Sequence, residues 1–589
     1  MFSKILVANR GEIALRIMRS CRDLGIPSVA VYAEGEHEAP HVRYADEAWR
    51  IDSAAPIPYL DIEALLQIVS DTGTDAIHPG YGFLSENAGF ARACADAGVT
   101  FVGPGPEAIS AMGDKIQARE LARQAEVPLV PGSDGAVEPD GLEQIADSIG
   151  YPVALKAAAG GGGRGFRVAK GPDELDDALA GATGEAERYF ADRRVFIERY
   201  LEAPRHVEIQ VLADSHGTVV ALGERDCSVQ RRHQKLIEEA PSPVLSDELR
   251  SRMEQAAIQL AQAVKYVSAG TVEFLVENDE FFFLEMNTRI QVEHPVTELI
   301  TGVDLVAEQI RIASGVEISP DFGQVRAGHA IECRINAEDV QANFQPVSGT
   351  ISACTIPGGP GVRLDGVIEA GGVVSPNFDS LLGKLVTWGS DRDQALRRMR
   401  RALSELQISG IPTTTSFHRQ VMAHPVFEKG TYDTRFLERY TEVIEASSKV
   451  DDIGAPVATQ SAGSDAAESV RVEVNGRRFD VRVFRPQSES KSKRPPALSA
   501  SRSTAAIASD GSESIVSPIQ GKVLSVAVEI GDVVRAGDVI CVVEAMKMEN
   551  EISAGRDGTV SRLEVGTGET VESGALIAII ESGEAAADD

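Results

Sequence analysis

The C-terminal part of the chain contains an internal repeat, and this repeat constrains the fold more than any other feature. The segment GDVVRAGDVICVV, which begins at Gly531, is echoed by GETVESGALIAII, which begins at Gly568, and the same offset of 37 residues carries GKV at Gly521 onto GTV at Gly558. Short strands and glycine turns that are repeated once indicate two half-domains, neither of which could bury a core alone. We therefore predict that residues 514–583 form a flattened β-barrel.

Lys547 lies between the two halves of this repeat, within AMKM at residues 545–548. The simplest interpretation is that Met546 and Met548 fill a small core while Lys547 is a solvated turn residue. A hairpin turn at the junction of two half-domains would instead project a single amine from a rigid scaffold. Such an amine could carry a covalently attached group, and the position of Lys547 favours this second interpretation.

Length and composition exclude several classes of protein. At 589 residues the chain is too long for one hydrophobic core, so several domains are expected. A net charge of −32 argues against a nucleic-acid partner. No apolar run approaches the roughly 18–20 residues that span a bilayer, and the N-terminus lacks a signal-peptide pattern. We therefore expect no membrane partner and a cytoplasmic location. Six scattered cysteines without a Cys-x-x-Cys pair indicate neither a disulfide framework nor a zinc site.

The order of strand, turn and helix patterns predicts a multidomain chain of the α/β and α+β classes. The first strand is not followed by Gly-x-Gly-x-x-Gly, so a dinucleotide site is not expected. The predicted divisions are 1–114, a parallel-sheet domain; 115–203, a segment with its own glycine-rich turn; 204–445, a mixed domain; 446–469, a linker; 470–486, a small β-hairpin around Asn475 and Gly476; 487–513, a disordered linker; and 514–583, the barrel.

Two motifs indicate a nucleotide and its metal ion. In KAAAGGGGRGF, residues 156–166, a strand-like segment ends in Lys156 and is followed by glycines that let backbone N–H groups approach phosphate oxygens. A flexible surface loop is the alternative. Further on, Glu285 and Asn287 lie two residues apart on one strand face, and Glu273 lies on the preceding strand. These oxygens would suit Mg²⁺ or Mn²⁺, although a solvated hairpin is also possible.

The residues after this strand could bind a small oxyanion. Arg289, Gln291 and Glu293 continue the same alternation, so we predict that all three side chains lie on one strand face and can hold and deprotonate an anion. Residues 224–241 form a basic segment that contains His233 and Lys235. Because the chain is otherwise strongly acidic, an anion site is favoured there over a solvated basic face.

Residues 1–445 resemble biotin carboxylase, an ATP-grasp enzyme. The similar stretches are ILVANRGEIALRI, HPGYGFLSEN, MGDK, GGGGRG, ERDCSVQRRHQK, EMNTRIQVEHPVTE and ECRINAED. The AMKM segment resembles the biotinyl carrier domain, in which the lysine holds biotin in amide linkage. Together the two regions resemble the biotin-containing α subunit of an acyl-CoA carboxylase of the acetyl-CoA or propionyl-CoA type.

The resemblance implies a role for each matching residue. ATP would be bound by Lys115, Lys156, Gly162, Gly163, Glu198, Arg199, Tyr200, Leu201, His206 and His233. The metal ligands would be Glu273, Glu285 and Asn287. Bicarbonate and biotin would be held by Lys235, Arg289, Gln291, Val292 and Arg334. The catalytic residues would be Arg289, Glu293, Lys235 and Arg334, with Glu293 as general base and Arg334 stabilising the biotin enolate. Lys547 would carry biotin.

The resemblance also implies an activity and partners. ATP and bicarbonate would carboxylate biotin on the chain's own carrier domain, with Mg²⁺ or Mn²⁺, and a carboxyltransferase β subunit would pass the carboxyl group to acetyl-CoA or propionyl-CoA. A biotin protein ligase and an oligomeric complex are further expected partners. Pyruvate, urea and geranyl-type carboxylases remain alternatives, as does a carrier subunit whose ATP-grasp half is inactive. The hairpin could dock the β subunit or merely extend the carrier domain.

Overall fold

The structure is a computed structural model that describes residues 1–159, 165–447, 467–474, 477–484, 512–517, 521–545, 548–571 and 574–581. In order along the chain it contains an N-terminal α/β unit, a small sheet with three helices, a large central sheet, an isolated hairpin and a C-terminal barrel. None of the helices in these described ranges combines the length and apolar character needed to cross a membrane.

The N-terminal unit has the parallel sheet that the sequence predicts. Strands β1 to β5 are Ile5–Val7, Ser28–Tyr32, Glu47–Arg50, Ala76–His78 and Thr100–Phe101, and helices α1 to α5 are Gly11–Asp23, Pro40–Tyr44, Ile62–Thr72, Ala88–Asp96 and Pro106–Gly113. The strand order is β3-β2-β1-β4-β5, and every pair is parallel. Ile5 and Val7 pack in one apolar cluster and Leu6 in another, so β1 is buried on both faces.

A three-stranded antiparallel sheet follows. Strands β6 to β8 are Val153–Ala157, Phe166–Ala169 and Val195–Arg199, and helices α6 to α8 are Lys115–Gln124, Leu142–Ile149 and Leu175–Phe190. Strand β6 lies in the middle and pairs with both neighbours. Lys156 is near the end of β6, as predicted. The glycines that follow it, residues 160–164, lie outside the described residues.

The central region is organised around an eight-stranded antiparallel sheet with the order β13-β12-β9-β10-β11-β14-β21-β19. Strands β9 to β22 are Arg205–Ala213, Val219–Arg231, Gln234–Ala240, Ser268–Glu277, Glu280–Asn287, His329–Asn336, Glu338–Asp339, Gln345–Pro346, Gly349–Thr350, Ala353–Thr355, Val362–Gly366, Val373–Val374, Leu381–Gly389 and Gln407–Ser409. Helices α9 to α16 are Asp247–Ala263, His294–Thr301, Leu305–Ala313, Arg392–Glu405, Thr415–Ala423, Pro425–Glu428, Phe436–Arg439 and Glu442–Ser447.

The alternation of residues along β9 positions part of the functional site. Val207, Ile209 and Val211 pack into the apolar cluster that includes helix α9. Successive side chains of a strand point to opposite faces, so His206 and Glu208 lie on the other face of the sheet.

A hairpin of two strands follows the carboxylase-like region. Strands β23 and β24 are Ala467–Val474 and Arg477–Phe484, and they pair in register from Ala467 opposite Phe484 to Val474 opposite Arg477. The hairpin predicted from Asn475 and Gly476 is therefore present, although these two residues lie outside the described ranges.

The C-terminal barrel reproduces the 37-residue repeat. Strands β25 to β32 are Ser512–Val516, Gly521–Val526, Val533–Val534, Val539–Ala545, Met548–Ser553, Gly558–Leu563, Thr570–Val571 and Leu576–Glu581. They form two four-stranded sheets, β25-β32-β30-β27 and β29-β28-β26-β31, around one apolar core. The fold predicted for this region is confirmed.

Equivalent hydrogen bonds relate the two halves of the barrel. The amide of Gly531 donates to the carbonyl of Val560 at 2.8 Å, and the amide of Gly568, 37 residues later, donates to the carbonyl of Val523 at 2.7 Å. Gly531 and Gly568 have φ values of +102° and +92°, which only glycine adopts without strain. Each half therefore closes its turn against a strand of the other half.

Candidate active site

A cleft of about 780 Å³ opens between the N-terminal unit, the three-stranded sheet of β6 to β8 and the central sheet. Every predicted site residue that the structure describes lines this cleft. These residues are Lys115, Lys156, Glu198, Arg199, Tyr200, Leu201, His206, His233, Lys235, Glu273, Glu285, Asn287, Arg289, Gln291, Val292, Glu293 and Arg334.

Lys235 is the centre of a charged network in the cleft. Its Nζ donates to Glu208 Oε2 at 2.5 Å, to Glu273 Oε1 at 2.9 Å and to Glu293 Oε1 at 2.7 Å. The three carboxylates come from β9, from β12 and from the residue that caps α10. Three separate elements therefore converge on one ammonium group.

The charges of this network fix the protonation of its members. Burial alone would lower the pKa of Lys235, but the three carboxylates outweigh burial and hold that pKa well above its ordinary value. Burial would likewise raise the pKa of Glu293, whereas Lys235, Arg334 and Arg225 hold it well below the usual range for glutamate. Glu293 is therefore ionised at neutral pH, as a proton acceptor must be.

Arg334 connects Glu293 to the floor of the cleft. Its Nη2 donates to Glu293 Oε2 at 2.8 Å, and its Nε donates to Glu238 Oε1 at 2.7 Å. Nη1 makes no hydrogen bond to any described residue. Two nitrogens thus fix the guanidinium, and the third remains available to a ligand in the cleft.

The prediction that Arg289, Gln291 and Glu293 continue the face of a strand is wrong. Strand β13 ends at Asn287, and α10 begins at His294 with Glu293 as its N-cap residue. The second residue of this helix is proline, which favours the first turn of a helix and cannot continue a strand ladder. The intervening turn nevertheless brings the three side chains into the cleft.

The N-terminal unit reaches this turn through Glu86. Arg289 Nε donates to Glu86 Oε2 at 2.9 Å, and the amide of Thr288 donates to Glu86 Oε1 at 3.1 Å. Arg289 Nη2 also donates to Asn287 Oδ1 at 2.8 Å. Glu86 therefore orients Arg289 and joins the first domain to the central sheet.

Two lysines lie at the end of the cleft that is predicted to bind the nucleotide. Lys115 Nζ is 3.5 Å from Glu285 Oε2, and Lys156 Nζ donates to Glu198 Oε1. Glu198 Oε2 accepts from Arg119 Nη1 at 2.8 Å. The side chain of Glu198 is thus engaged by two cations, and its backbone pairs with Ala154 of β6.

Three predicted residues lie outside the described ranges. Gly162 and Gly163 belong to residues 160–164, and Lys547 falls between the end of β28 at Ala545 and the start of β29 at Met548. The structure therefore does not place these three residues, and their roles stay predictions like those of the other site residues.

Family models match most of the chain in consecutive order. They are described as Biotin carboxylase, N-terminal domain, over residues 1–109; Carbamoyl-phosphate synthase L chain, ATP binding domain, over 114–320; Biotin carboxylase C-terminal domain, over 332–439; and Biotin-requiring enzyme, over 513–580. A relative from Mycobacterium leprae, the biotin-dependent acyl-coenzyme A carboxylase alpha3 subunit, is 43% identical over 593 residues and is matched over 98% of both chains.

The chain belongs to the biotin-dependent carboxylases. The family resemblance inferred from the motifs is confirmed. A pyruvate carboxylase chain of Methanothermobacter thermautotrophicus is 52% identical over 452 residues, which cover 76% of this chain and 92% of that one. The relatives therefore include carboxylases named for different acceptors.

Solved structures of biotin carboxylases have the same fold. The biotin carboxylase domain dimer of 2-oxoglutarate carboxylase from Hydrogenobacter thermophilus, in complex with MgADP, ADP and bicarbonate, is 47% identical, with a TM-score of 0.73 over 75% of this chain and 99% of that one. Biotin carboxylase from Campylobacter jejuni is 44% identical, with a TM-score of 0.73 over 74% and 99%. As a biotin-dependent carboxylase, the chain carboxylates biotin with ATP.

The predicted metal ligands of this biotin carboxylase fit a divalent cation. Glu273 and Glu285 lie directly opposite each other in the β12–β13 pair, and Asn287 follows on the same strand. Among the described residues, the carboxylate of Glu285 accepts no hydrogen bond and its ion-pair partner Lys115 is 3.5 Å away, so it retains unused acceptor capacity. Carboxylate and amide oxygens are the ligands that Mg²⁺ and Mn²⁺ prefer.

Sequence reasoning missed three residues that hold the site of this carboxylase together. Glu208 contacts Lys235, Glu86 orients Arg289, and the fully buried Arg225 donates to Glu208 and to Gln291 Oε1 at 2.8 Å. Glu208 could have been found, because it lies two residues after His206 and shares its strand face. No local pattern identifies the partners of Glu86 and Arg225.

Proposed function

We propose that this chain carboxylates the biotin of its own carrier domain and supplies the carboxyl group to a separate carboxyltransferase subunit that acts on acetyl-CoA or propionyl-CoA. The supporting observation is the match to the Mycobacterium leprae acyl-coenzyme A carboxylase alpha3 subunit, which extends through both the carboxylase and the carrier regions. The relative named for pyruvate matches only about three quarters of the chain, the share that the carboxylase region occupies.

The proposed roles of the side chains follow from their contacts. Lys115 and Lys156 neutralise the phosphates of ATP at one end of the cleft. Lys235 and Arg289 hold bicarbonate at the other end, and Glu293 accepts its proton because it is a carboxylate in contact with both Lys235 and Arg334. A bound Mg²⁺ or Mn²⁺ would supply further charge neutralisation at the phosphates.

Arg334 is proposed to orient biotin. Its Nη1 is free of hydrogen bonds to the described residues while Nε and Nη2 are held by Glu238 and Glu293, so a donor is presented to the cleft in a fixed direction. Biotin, when attached to Lys547, supplies the ureido nitrogen that receives the carboxyl group. A preorganised donor of this kind can stabilise negative charge that develops on a ligand.

An ion pair between the carrier domain and the mouth of the cleft supports delivery within the chain. Arg232 Nη2 lies 3.9 Å from Glu551 Oε2, and both side chains are about half exposed. Arg232 lies between β10 and β11 and lines the cleft, while Glu551 lies on β29, which begins one residue after Lys547. This contact would hold the carrier hairpin beside the active site.

Replacing Glu551 by lysine should slow carboxylation of the carrier about two- to fivefold at low ionic strength, because exposed ion pairs contribute up to about 1 kcal/mol. The rate is measured as transfer of label from bicarbonate to the biotinylated carrier. Free biotin, which bypasses the carrier, should be carboxylated at the original rate.

The charge-swapped double variant Arg232→Glu with Glu551→Lys should recover part of the lost rate. Glu529→Lys is the matched control, since it makes the same charge change at an exposed position between β26 and β27. Equal slowing in Glu529→Lys and Glu551→Lys would show that the domain's net charge matters and the ion pair does not.

The acceptor can be identified directly. We would purify the chain through an affinity tag together with the carboxyltransferase that copurifies with it, and measure ATP-dependent fixation of labelled bicarbonate. The panel contains acetyl-CoA, propionyl-CoA, geranyl-CoA, pyruvate and urea. Fixation on acetyl-CoA or propionyl-CoA is expected, whereas fixation on pyruvate or urea alone would contradict the proposal.

The alternative of a passive carrier is tested by the same preparation. An inactive ATP-grasp half would show no bicarbonate-dependent release of ADP with free biotin. The complete network around Lys235 favours an active enzyme, because four charged groups buried together are costly to retain without a use.

A further inference from the structure

Two buried carboxyl groups lie face to face behind Arg334. Glu238 on β11 and Glu332 on β14 are register partners in an antiparallel pair, and both side chains are completely buried. Directly opposed residues of such a pair have Cβ atoms about 4.5–5.5 Å apart and project from the same face. Neither residue is among those assigned to bind ATP, metal, bicarbonate or biotin.

The hydrogen bonds of this pair are incomplete. Glu238 Oε1 accepts from Arg334 Nε at 2.7 Å, but Glu238 Oε2 and both oxygens of Glu332 have no hydrogen-bond partner among the described residues. A buried carboxylate without donors is strongly unfavourable, and two opposed carboxylates are more so. A proton held between the two groups would supply the donor that the described residues lack.

The surroundings explain which group carries this proton. Glu332 lies between Ala330, which belongs to an apolar cluster with Val296 and Val386, and Arg334, which lines the cleft. Glu332 is thus the more apolar of the two sites, whereas Glu238 contacts the guanidinium directly. The neutral acid is favoured at Glu332 and the carboxylate at Glu238.

The charged groups around Glu332 support this assignment. They are Glu238 on β11, Arg334 on β14, Lys384 on β21 and Glu293 at the start of α10. His294 on α10, which packs against β14, is uncharged because burial holds its pKa well below its ordinary value. Lys384 is already engaged by the carbonyl of Val292 at 3.0 Å and by Glu12 at 3.1 Å. Burial, followed by the charge of Glu238, raises the pKa of Glu332 well above its ordinary value.

We propose that Glu332 is a positioning residue for Arg334, a protonated acid that donates to Glu238 and thereby keeps the Glu238 carboxylate aligned on the guanidinium. In this arrangement the proton of Glu332 satisfies Glu238 Oε2, Glu238 Oε1 holds Arg334 Nε, and Arg334 presents Nη1 to biotin. The inference rests on the proposed role of Arg334 in binding biotin.

The proposal predicts a particular dependence on pH. Loss of the shared proton at alkaline pH leaves two carboxylates behind Arg334. Glu332 is therefore neutral below its pKa and is a second anion above it. The biotin-dependent rate should therefore fall on the alkaline side. Burial, which outweighs the opposing charge of Arg334, also raises the pKa of Glu238 to about 7, so the pair titrates as a unit.

The test compares an amide with an apolar side chain at the same position. Glu332→Gln keeps a donor that does not titrate, so it should retain free-biotin carboxylation within about threefold at neutral pH and lose the alkaline fall in rate. Glu332→Leu removes the donor and should raise KM for biotin about tenfold or more, because misplaced positioning groups cost that much. In both variants bicarbonate-dependent ATP cleavage without biotin should fall less than biotin carboxylation does, because Arg334 reaches that step only through its contact with Glu293.

A second carboxyl group provides the matched control. Glu338 is also buried, and burial raises its pKa to about 7, but it accepts from Ser380 and Asn336 and does not contact Arg334. Glu338→Gln should keep the alkaline fall in rate. The proposal would be overturned if the biotin-dependent rate of Glu338→Gln no longer fell at alkaline pH, or if that of Glu332→Gln still did.

Infrared spectroscopy gives a readout that does not depend on activity. The difference spectrum between the original chain and Glu332→Gln, recorded at neutral pH, should contain the carbonyl band of one protonated carboxyl group. Absence of that band means that Glu332 is ionised and rejects the proposal. If the band is present but biotin is not a substrate of the original chain, the proposed function fails and the proton assignment stands.

Discussion

Replacing Glu293 by glutamine should reduce bicarbonate-dependent ATP cleavage by about 100-fold or more, because a positioned general base contributes typically 10²–10⁴-fold. The amide keeps the shape of the side chain but cannot accept the proton of bicarbonate. Lys235 retains Glu208 and Glu273 as partners, so the fold should persist. Initial rates at saturating ATP and bicarbonate measure the effect, and a thermal melt checks folding.

The control for this variant makes the same chemical change elsewhere. Glu254 pairs with Arg326 at 2.5 Å and does not line the cleft, so Glu254→Gln should leave the rate within about twofold, as substitutions distant from a site usually do. A rate within threefold of the original for Glu293→Gln would remove Glu293 from its proposed role and leave it as an electrostatic partner of Lys235 and Arg334.

Replacing Lys547 by arginine should abolish biotin attachment and all transfer to a carboxyltransferase. Attachment through an amide requires an amine that can lose its proton, and a guanidinium remains protonated under every relevant condition. Intact-mass analysis after coexpression with a biotin protein ligase measures the adduct. Free-biotin carboxylation should continue at the original rate, since the carboxylase cleft is unchanged.

Lys522 provides the matched control, because it is the other lysine of the barrel region and lies on β26. Lys522→Arg should retain full biotinylation. An adduct that survives in Lys547→Arg and disappears in Lys522→Arg would move the attachment point and remove the proposed delivery of biotin by the β28–β29 hairpin.

The site was predictable where its residues are close in the sequence. Glu285 and Asn287 share a strand face because they are two residues apart, and Glu273 joins them because β12 and β13 form a hairpin. Most residues that line the cleft were predicted from the family motifs and not from the periodicity of the sequence. The prediction that the strand extends to Glu293 is wrong because β13 ends at Asn287 and a helix with proline in its first turn begins at His294.

The sequence by itself determined the parallel N-terminal sheet, the paired strands that hold the predicted metal ligands, and the two-fold organisation of the barrel around Lys547. Each follows from residues separated by one strand, one turn or one repeat. Only the tertiary structure decided that Glu208 and Glu293 meet at Lys235, and that Glu332 lies behind Arg334 opposite Glu238. Those contacts join residues 27 to 94 positions apart in the chain, and their formation depends on the strand order of the central sheet, which no local pattern of side chains specifies.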